Sequence, residues 1–313
     1  MKIAFFWTWD FSRNILNWVL EYSDIEVKLI VSQPDKPAWR KKVLEHTPIK
    51  KLALEKNLKV LQPTKLKNNT DFFNELKLLN LDFIVVVAYW KIVPIEVLEA
   101  PKYWCINIHW SILPMYRWAS PIQEAIKNGD TETWLTIMYM SIWMDEWDIL
   151  DIKKIIIDKV DKTPDIFNKF ELIGPRLLVD TLNGILVWRI KWKKQDETKV
   201  TICSKISKED WEINFTKNSW TDIYNKFRAY YIWPWIYTYY DSKKLDIEEC
   251  ELFDYTWNEN VWKVIKIDKK NIWVVCLDKK ILLFRQIKLE WRKSMDIISF
   301  VNWNKDFLDY KFY

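Results

Sequence analysis

The first half of the chain alternates between short apolar runs and longer amphipathic stretches. The apolar runs contain few polar residues, which indicates strands that are buried on both faces. These runs fall at residues 3–6 (IAFF), 27–31 (VKLIV), 83–88 (FIVVVA) and 105–109 (CINIH). The stretches between them have the spacing of helices with one apolar face, and they fall at 12–22, 48–57 and 70–80. This order predicts an α/β fold with a mostly parallel N-terminal sheet and helices on both of its faces.

A different pattern begins after the charged segment RIKWKKQDETK at 189–199. From there the chain consists of short β-like runs separated by turns, which is typical of a small barrel. A long amphipathic helix near 165–186 precedes the change. We therefore predict an N-terminal domain over 1–189, a linker over 190–205, and a smaller, OB-like C-terminal β-barrel domain over 206–313.

The composition is that of a globular protein, with 313 residues of which 50% are hydrophobic and 29% charged, and a net charge of +5. The N-terminus lacks the organisation of a signal peptide, and no apolar run approaches the ~18 residues that a membrane span needs. We therefore expect a cytoplasmic protein with no membrane partner. Four separated cysteines without a CxxC pair, together with only two histidines, give no support to a metal site or a disulfide.

One pair of counts does not fit this picture, because the chain has 3 glycines and 22 tryptophans. Average glycine usage of ~7% would give roughly 20 in a chain of this length. Trp9, Trp147 and Trp257 stand beside Asp or Asn in turn-like contexts where glycine is the usual residue. Our hypothesis is that 21 of the 22 tryptophans, all except Trp233, are glycines in the functional protein. If the cell reads UGA codons as glycine, a written translation of the gene that reads UGA as tryptophan would produce this substitution. The alternative is a truly tryptophan-rich protein.

The strand at 105–109 carries the candidate chemistry. Side chains alternate along a strand, so Asn107 and His109 share one face at its carboxyl end, where ligands of parallel sheets gather. An amide beside an imidazole can polarise a carbonyl group and stabilise an oxyanion. Asp145, in the loop SIWMDEWD at 141–148, is a candidate to orient the imidazole. By themselves these residues fit a structural arrangement equally well. In that arrangement the histidine at the strand end makes hydrogen bonds in the core, and the other two are polar loop residues.

With glycine written in place of tryptophan, the chain resembles the methionyl-tRNA formyltransferases over essentially its full length. The segments that carry the resemblance are FFWTWDFS (5–12), SQPDKPAWRKK (32–42), VVVAYWKIVP (85–94), CINIHWSILPMYRWASPIQ (105–123), WLTIMYMSIWMDEWDIL (134–150), SKISKEDWEINF (204–215) and RAYYIWPWIYT (228–238). Nearly every departure from the family pattern is a tryptophan where the family has glycine. At Trp233 the family itself has tryptophan.

The resemblance implies an enzyme of translation initiation. It implies that a formyl group passes from 10-formyltetrahydrofolate to the amino group of methionyl-initiator tRNA, without a metal ion. The residues that match the catalytic trio of the family are Asn107, His109 and Asp145. Those that match its folate-binding loop are Ser111, Ile112, Leu113 and Pro114. The N-terminal domain would then be catalytic, and the C-terminal barrel would bind tRNA.

Basic residues are the candidates for contact with tRNA. The segment 261–293 holds 10 basic and 3 acidic residues, a net charge of +7, and such a stripe across strands suits a phosphate backbone. The resemblance places a second basic loop near the acceptor stem. The predicted contacts are Arg40, Lys41 and Lys42 in that loop, and Lys266, Lys270, Lys280 and Lys288 in the stripe. The alternative is that these residues are only solvated surface charges.

Other functions stay open at this point. A related folate-dependent formyltransferase could use glycinamide ribonucleotide or an amino sugar, and a formyltetrahydrofolate hydrolase would use water. The segment SKISKEDWEINF and the predicted barrel favour the tRNA enzyme. If the tryptophans are real, Trp110 and Trp147 would crowd His109 and Asp145, and a non-catalytic tRNA-binding protein would follow. We expect a monomer with no DNA partner.

Overall fold

The structure is a computed structural model that describes residues 1–7, 12–37, 44–89, 91–143, 145–256, 262–266, 268, 271–308 and 310–312. Its strands are β1 (Lys2–Phe6), β2 (Glu26–Val31), β3 (Lys36–Pro37), β4 (Leu44–Glu45), β5 (Val60–Leu61), β6 (Phe83–Val86), β7 (Cys105–His109), β8 (Arg117–Trp118), β9 (Glu132–Tyr139), β10 (Ile149–Ile156), β11 (Ile202–Cys203), β12 (Ile236–Tyr240), β13 (Lys243–Thr256), β14 (Val264–Lys266), β15 (Ile272–Val275), β16 (Lys280–Leu289) and β17 (Met295–Asp296). Its helices are α1 (Ser12–Val19), α2 (Pro48–Glu55), α3 (Thr70–Leu78), α4 (Ile95–Leu98), α5 (Pro121–Lys127), α6 (Thr163–Leu186), α7 (Lys208–Trp211), α8 (Trp220–Ala229) and α9 (Ile297–Trp303). In the described part of the chain, no helix combines the length and apolar character that crossing a membrane demands.

Two helices of the first half start where the sequence supplies capping groups. The Thr47 hydroxyl accepts the backbone N–H of Lys50, and Pro48 occupies the first position of α2, where an N–H would have no partner within the helix. Asn69 caps α3 in the same way through the N–H of Phe72. These helices therefore begin close to the positions predicted from the sequence.

One compact unit contains residues 1–118, 133–155 and 167–203. Seven of its described strands form a sheet in the order β10-β9-β7-β6-β1-β2-β5, while β8 pairs with β11 and β3 pairs with β4. The strands from β7 to β5 are parallel, and β9 runs antiparallel to β7. The central strands β1 and β6 are apolar, with Phe5, Phe83 and Val85 fully buried. The predicted α/β fold with a mostly parallel sheet is confirmed.

A second compact unit contains residues 119–132, 156–166 and 204–313. Its described strands form an antiparallel sheet in the order β12-β13-β16-β15-β14, and β17 pairs with β16. Helix α8 packs against α5 within this unit and buries Ile223 and Phe227. The predicted C-terminal β domain is confirmed. Its closure into a barrel and the domain boundaries at 189 and 206 stay predictions.

Two details of this sheet differ from the predicted runs. β13 is the longest described strand, yet the sequence pattern did not predict it, because register shifts around Glu249 and before Thr256 interrupt its apolar alternation. The sequence predicts short strands at EINF (212–215) and IWPWIYTYY (232–240), but residues 212–215 and 232–235 form no strand, and Glu212 makes only an isolated bridge. A bulged strand loses the period of two by which a sequence pattern reveals a strand.

Six described tryptophans adopt positive φ, the backbone region in which glycine is favoured. They are Trp104, Trp118, Trp188, Trp235, Trp262 and Trp291. Trp188 is the clearest case, because it ends α6 with the hydrogen bonds of a Schellman motif. Its N–H donates to Ile185 O at 3.1 Å, and the N–H of Arg189 donates to Gly184 O at 2.8 Å. Glycine is the usual residue at this position, and Trp188 is 84% exposed, so packing does not hold it there.

Candidate active site

Strand β7 positions two of the predicted catalytic side chains. It lies between β6 and β9, with Val86 opposite Asn107 on the parallel side and Thr136 opposite His109 on the antiparallel side. Both edges of the strand are therefore held by backbone hydrogen bonds. Because side chains alternate along a strand, Asn107 and His109 project from the same face.

Asp145 brings a carboxylate to the same point. Its Oδ1 accepts a hydrogen bond from Asn107 Nδ2 at 3.4 Å and lies 3.6 Å from His109 Nδ1. Its Oδ2 accepts the backbone N–H of Trp118 at 3.0 Å. The side chains of His109 and Asp145 are only 8% and 14% exposed, so their contact is largely shielded from water. The structure therefore brings the three predicted residues together.

The imidazole of His109 is also held at its other edge. Its Nε2 lies 3.0 Å from the carbonyl oxygen of Tyr116. A carbonyl oxygen only accepts, so Nε2 carries the proton of this hydrogen bond, and Nδ1 faces Asp145. A ring held between a backbone acceptor and a carboxylate has a fixed orientation.

The loop predicted to bind folate, residues 111–114, turns two of its four side chains inward. Ser111 is buried, and its hydroxyl donates to a backbone carbonyl of the same loop at 2.7 Å. Leu113 is buried as well, whereas Ile112 and Pro114 are half-buried. The accessible part of this loop is therefore apolar, and its contact with folate stays a prediction.

A cleft of about 740 Å³ lies on the first unit. Residues 92–96, at the end of the loop after β6 and the start of α4, line it on one side, and the loop that precedes Asp145 lines it with residues 141–143. Trp104 and Trp147 also line the cleft, and their rings stack with centroids 5.3 Å apart. Residues 92–96 are not among the predicted site residues, although their place after the carboxyl end of a parallel strand is a signal for ligand contact.

Cys105 begins strand β7, but its thiol is not reactive. Cys105 is fully buried, its thiol donates to Val97 O at 3.5 Å, and burial raises the pKa of that thiol well above its usual value. The thiol therefore stays protonated and is a poor nucleophile. Among the residues that the structure describes, no group of three or more His, Cys, Asp or Glu could hold a metal ion.

Only some of the predicted tRNA contacts can be located. Those outside the described residues are Arg40, Lys41, Lys42 and Lys270. Lys266 is exposed at the end of β14. Near the two ends of β16, Lys280 lies 6.0 Å from the ring centroid of Trp220, and Lys288 lies 3.9 Å from a carboxylate oxygen of Asp246. A strand rise of ~3.3 Å per residue separates these two lysines by roughly 26 Å, so they form a stripe and not one cluster.

One residue that contacts the loop of Asp145 was not predicted from the sequence. Gln195 falls in the predicted linker, yet its Nε2 donates to the carbonyl oxygens of Asp145 at 2.8 Å and of Trp147 at 2.7 Å. The segment that contains it groups with the first unit. Lys193, Lys194 and Asp196 surround it in the sequence, and that pattern is typical of an exposed linker.

Comparison with known proteins adds the family to this geometry. A family model described as formyl transferase matches residues 1–182, and one described as formyl transferase, C-terminal domain, matches residues 205–305. A methionyl-tRNA formyltransferase of Caldicellulosiruptor saccharolyticus is 42% identical over 304 residues, covering 96% of both chains. The chain belongs to the methionyl-tRNA formyltransferase family. The resemblance that the motifs indicated is thereby confirmed.

A second relative agrees with membership of the methionyl-tRNA formyltransferase family, and one solved structure shares the fold. The methionyl-tRNA formyltransferase of Clostridium novyi is 34% identical over 304 residues, which is 97% of both chains. A solved structure of the N-formyltransferase from Helicobacter canadensis, in complex with folinic acid and dTDP-3-aminofucose, has a TM-score of 0.64 at 16% identity. That comparison covers 91% of this chain and 98% of the other, and it shows a common fold.

Proposed function

We propose that this protein transfers the formyl group of 10-formyltetrahydrofolate to the amino group of methionyl-initiator tRNA. The observation that carries the proposal is the contact of Asn107, His109 and Asp145 at the carboxyl end of β7. Relatives named for this activity align with nearly the whole chain, including the second matched domain at 205–305. The basic stripe at 261–293 suits a tRNA backbone, whereas an enzyme that acts only on a small acceptor does not need it.

The three residues divide the reaction between them. The amine nitrogen attacks the formyl carbon, and an amide N–H of Asn107 stabilises the oxygen on which negative charge develops. His109 donates to the same oxygen when one of its ring N–H groups leaves its contact with Tyr116 O or Asp145 Oδ1. Asp145 orients His109 and accepts the proton of the amine, directly or through a water molecule. As the tetrahedral intermediate collapses, the bond between the formyl carbon and N10 of the folate breaks, and N10 leaves with a proton.

The cleft lined by residues 92–96 and 141–143 is the proposed site of the folate. Its volume of about 740 Å³ lies within the range that small-molecule sites occupy. Ile92, Val93 and Ile95 supply an apolar lining, and Lys67 supplies a positive charge for the carboxylates of the ligand. The H. canadensis relative, whose fold this chain shares, was solved with folinic acid. The loop 111–114 stays the second candidate for folate contact.

An acceptor competition assay tests the proposal. Labelled 10-formyltetrahydrofolate is supplied with methionyl-initiator tRNA, glycinamide ribonucleotide or an amino sugar nucleotide, both for the chain as written and for the form with 21 glycines. We expect methionyl-tRNA to be formylated ~10²-fold faster or more than the small acceptors. Label on a small acceptor would assign the chain to a related formyltransferase, and released formate would assign it to a hydrolase. If no transfer occurs in either form, a non-catalytic tRNA-binding protein is the remaining function.

The basic stripe gives a prediction about tRNA affinity. Lys266 is exposed, so we expect Lys266→Ala to weaken tRNA binding and to reduce the slope of log affinity against log salt by about one. The matched control is Lys305→Ala, which removes an exposed lysine from the same unit outside the segment 261–293. Binding is measured by titration at several salt concentrations. If the slope is unchanged in Lys266→Ala, this lysine does not contact the tRNA and is only a solvated surface charge.

A further inference from the structure

The segment of residues 193–203, here named the strap, crosses both loops that carry the candidate site. At one end, Lys193 and Ile149 exchange two backbone hydrogen bonds, of 2.8 and 2.9 Å, just after the loop of Asp145. At the other end, β11 pairs in parallel with β8, which follows the loop 111–116. Thr201 Oγ1 accepts the N–H of Tyr116 at 2.8 Å, and the carbonyl of Tyr116 is the acceptor of His109 Nε2. The strap therefore contacts the supports of both His109 and Asp145.

Gln195 makes the closest contacts between the strap and the loop of Asp145. Its Nε2 donates to the backbone carbonyls of Asp145 and Trp147, at 2.8 and 2.7 Å. Its Oε1 accepts Nη2 of Arg117 at 2.8 Å and Nε at 3.1 Å. Carbonyl oxygens only accept and a guanidinium only donates, so these four contacts define which end of the amide is oxygen and which is nitrogen.

Arg117 is itself held in place. It is 5% exposed, and its guanidinium also donates to both carboxylate oxygens of Glu197, at 2.7 and 3.2 Å. The hydrogen bond from Arg117 lowers the pKa of Glu197, so this partner stays ionised at neutral pH. A buried guanidinium with a paired charge is a rigid donor, because its planar fork fixes the direction of every N–H. Gln195 is thus anchored on one side and holds the loop on the other.

We propose that Gln195 is a positioning residue, which fixes the backbone of residues 145–147 so that the Asp145 carboxylate stays between Asn107 and His109. Asp145 has a φ of +57°, a conformation that residues other than glycine rarely adopt, so its backbone needs support from neighbouring groups. Gln195 supplies that support through the carbonyl of the same residue. The activity measurement for this proposal rests on the proposed formyl transfer.

The substitution Gln195→Glu tests the proposal with almost no change of shape. The carboxylate keeps the contact with Arg117 but places an oxygen against two carbonyl oxygens, where Gln195 donated two hydrogen bonds. We expect kcat to fall by about 10²-fold, the loss that a displacement of about 1 Å causes, while KM for both substrates is unchanged. The matched control is Gln286→Glu, an exposed position on β16, which should keep the parent kcat.

A spectroscopic measurement separates positioning from a general loss of structure. The chain has two histidines, so the imidazole NMR signals are those of His109 and of His46, which pairs with Asp35 at 2.7 Å. We expect Gln195→Glu to shift the His109 signals, to leave the His46 signals in place, and to keep cooperative unfolding. Gln195→Met, which has no donor and no charge, should shift the same His109 signals.

The outcomes are distinct. The positioning role is overturned if both variants keep the kcat and the His109 signals of the parent protein. It is also overturned if both variants lose cooperative unfolding and the signals of both histidines shift. The variants are made in whichever form of the chain, tryptophan or glycine, catalyses formyl transfer. If neither form does, the proposed function fails, and the two histidine spectra still decide whether Gln195 positions Asp145.

Discussion

Glycine at the 21 proposed positions, with Trp233 retained, is expected to raise formyl-transfer turnover by about 10²-fold or more over the chain as written, because side chains at the site are displaced or crowded by the indoles. Part of the reason lies in the backbone, where six described tryptophans have positive φ. A residue other than glycine costs about 1–3 kcal/mol when it is held in that region. A typical domain is stable by only about 5–15 kcal/mol, so six such positions approach the whole stability of a domain.

The same replacement acts directly at the candidate site. Trp110 follows His109, and its ring lies against Phe167 with centroids 5.2 Å apart. Trp104, Trp143 and Trp147 line the cleft in which we place the folate. Replacing these four residues by glycine leaves Asn107, His109 and Asp145 unchanged and enlarges the space beside them. The expected gain therefore combines a relaxed backbone with an open cleft.

A third chain with alanine at the 21 positions separates the two contributions. Alanine removes the indole rings but keeps Cβ, so it relieves crowding and leaves the strain at positive φ. We expect the melting temperature and the turnover to rise in the order tryptophan, alanine, glycine. If the tryptophan form unfolds cooperatively and its turnover equals that of the glycine form, the hypothesis that the 21 tryptophans are glycines in the functional protein is contradicted.

The native protein gives a direct answer to the same question. The two forms differ by 21 indole side chains, so the intact mass of protein isolated from its own cells identifies which one exists. UGG codons at these positions in the coding DNA would also end the hypothesis, because only UGA can be read as either residue.

The sequence predicts most of the first unit because its signals are local and unambiguous. The run CINIH coincides with β7, and the Thr47–Pro48 pair marks the start of α2. The alternation rule then places Asn107 and His109 on one face without knowledge of the tertiary structure. Asp145 lies 36 residues after His109, so the sequence alone linked it only weakly to the other two; the resemblance strengthened that link, and the structure adds the distances.

The parts that the sequence did not predict depend on contacts between distant residues. The bulges of β13 exist only in its pairing with β16, and they interrupt the alternation that would have revealed the strand. Gln195 has charged neighbours in the sequence, and its role depends on Arg117 and on two carbonyls of another loop. A backbone carbonyl leaves no trace in a sequence pattern, so no periodicity could have identified these hydrogen bonds.

Asp145→Asn is expected to lower kcat by about 10²–10⁴-fold, the usual contribution of a general base, with KM for both substrates unchanged. The amide has the size of the carboxylate but only one acceptor oxygen. In the parent chain, Oδ2 accepts the N–H of Trp118 at 3.0 Å, and Oδ1 faces Asn107 Nδ2 and His109 Nδ1. If the amide oxygen keeps the backbone N–H, the amide nitrogen must face Asn107 and His109, and no group remains to accept the proton of the amine.

The neighbouring carboxylate is the control for this substitution. Glu146 is exposed and adjacent in the sequence, so Glu146→Gln removes the same charge from the same loop without touching Asn107 or His109. Steady-state formyl transfer at saturating substrates, with thermal unfolding of each variant, gives the comparison. A large fall in both variants would assign the effect to the charge of the loop, and parent turnover in Asp145→Asn would remove Asp145 from the reaction. A fall confined to Asp145→Asn requires the carboxylate of Asp145, whose Oδ1 lies 3.6 Å from His109 Nδ1 and 3.4 Å from Asn107 Nδ2.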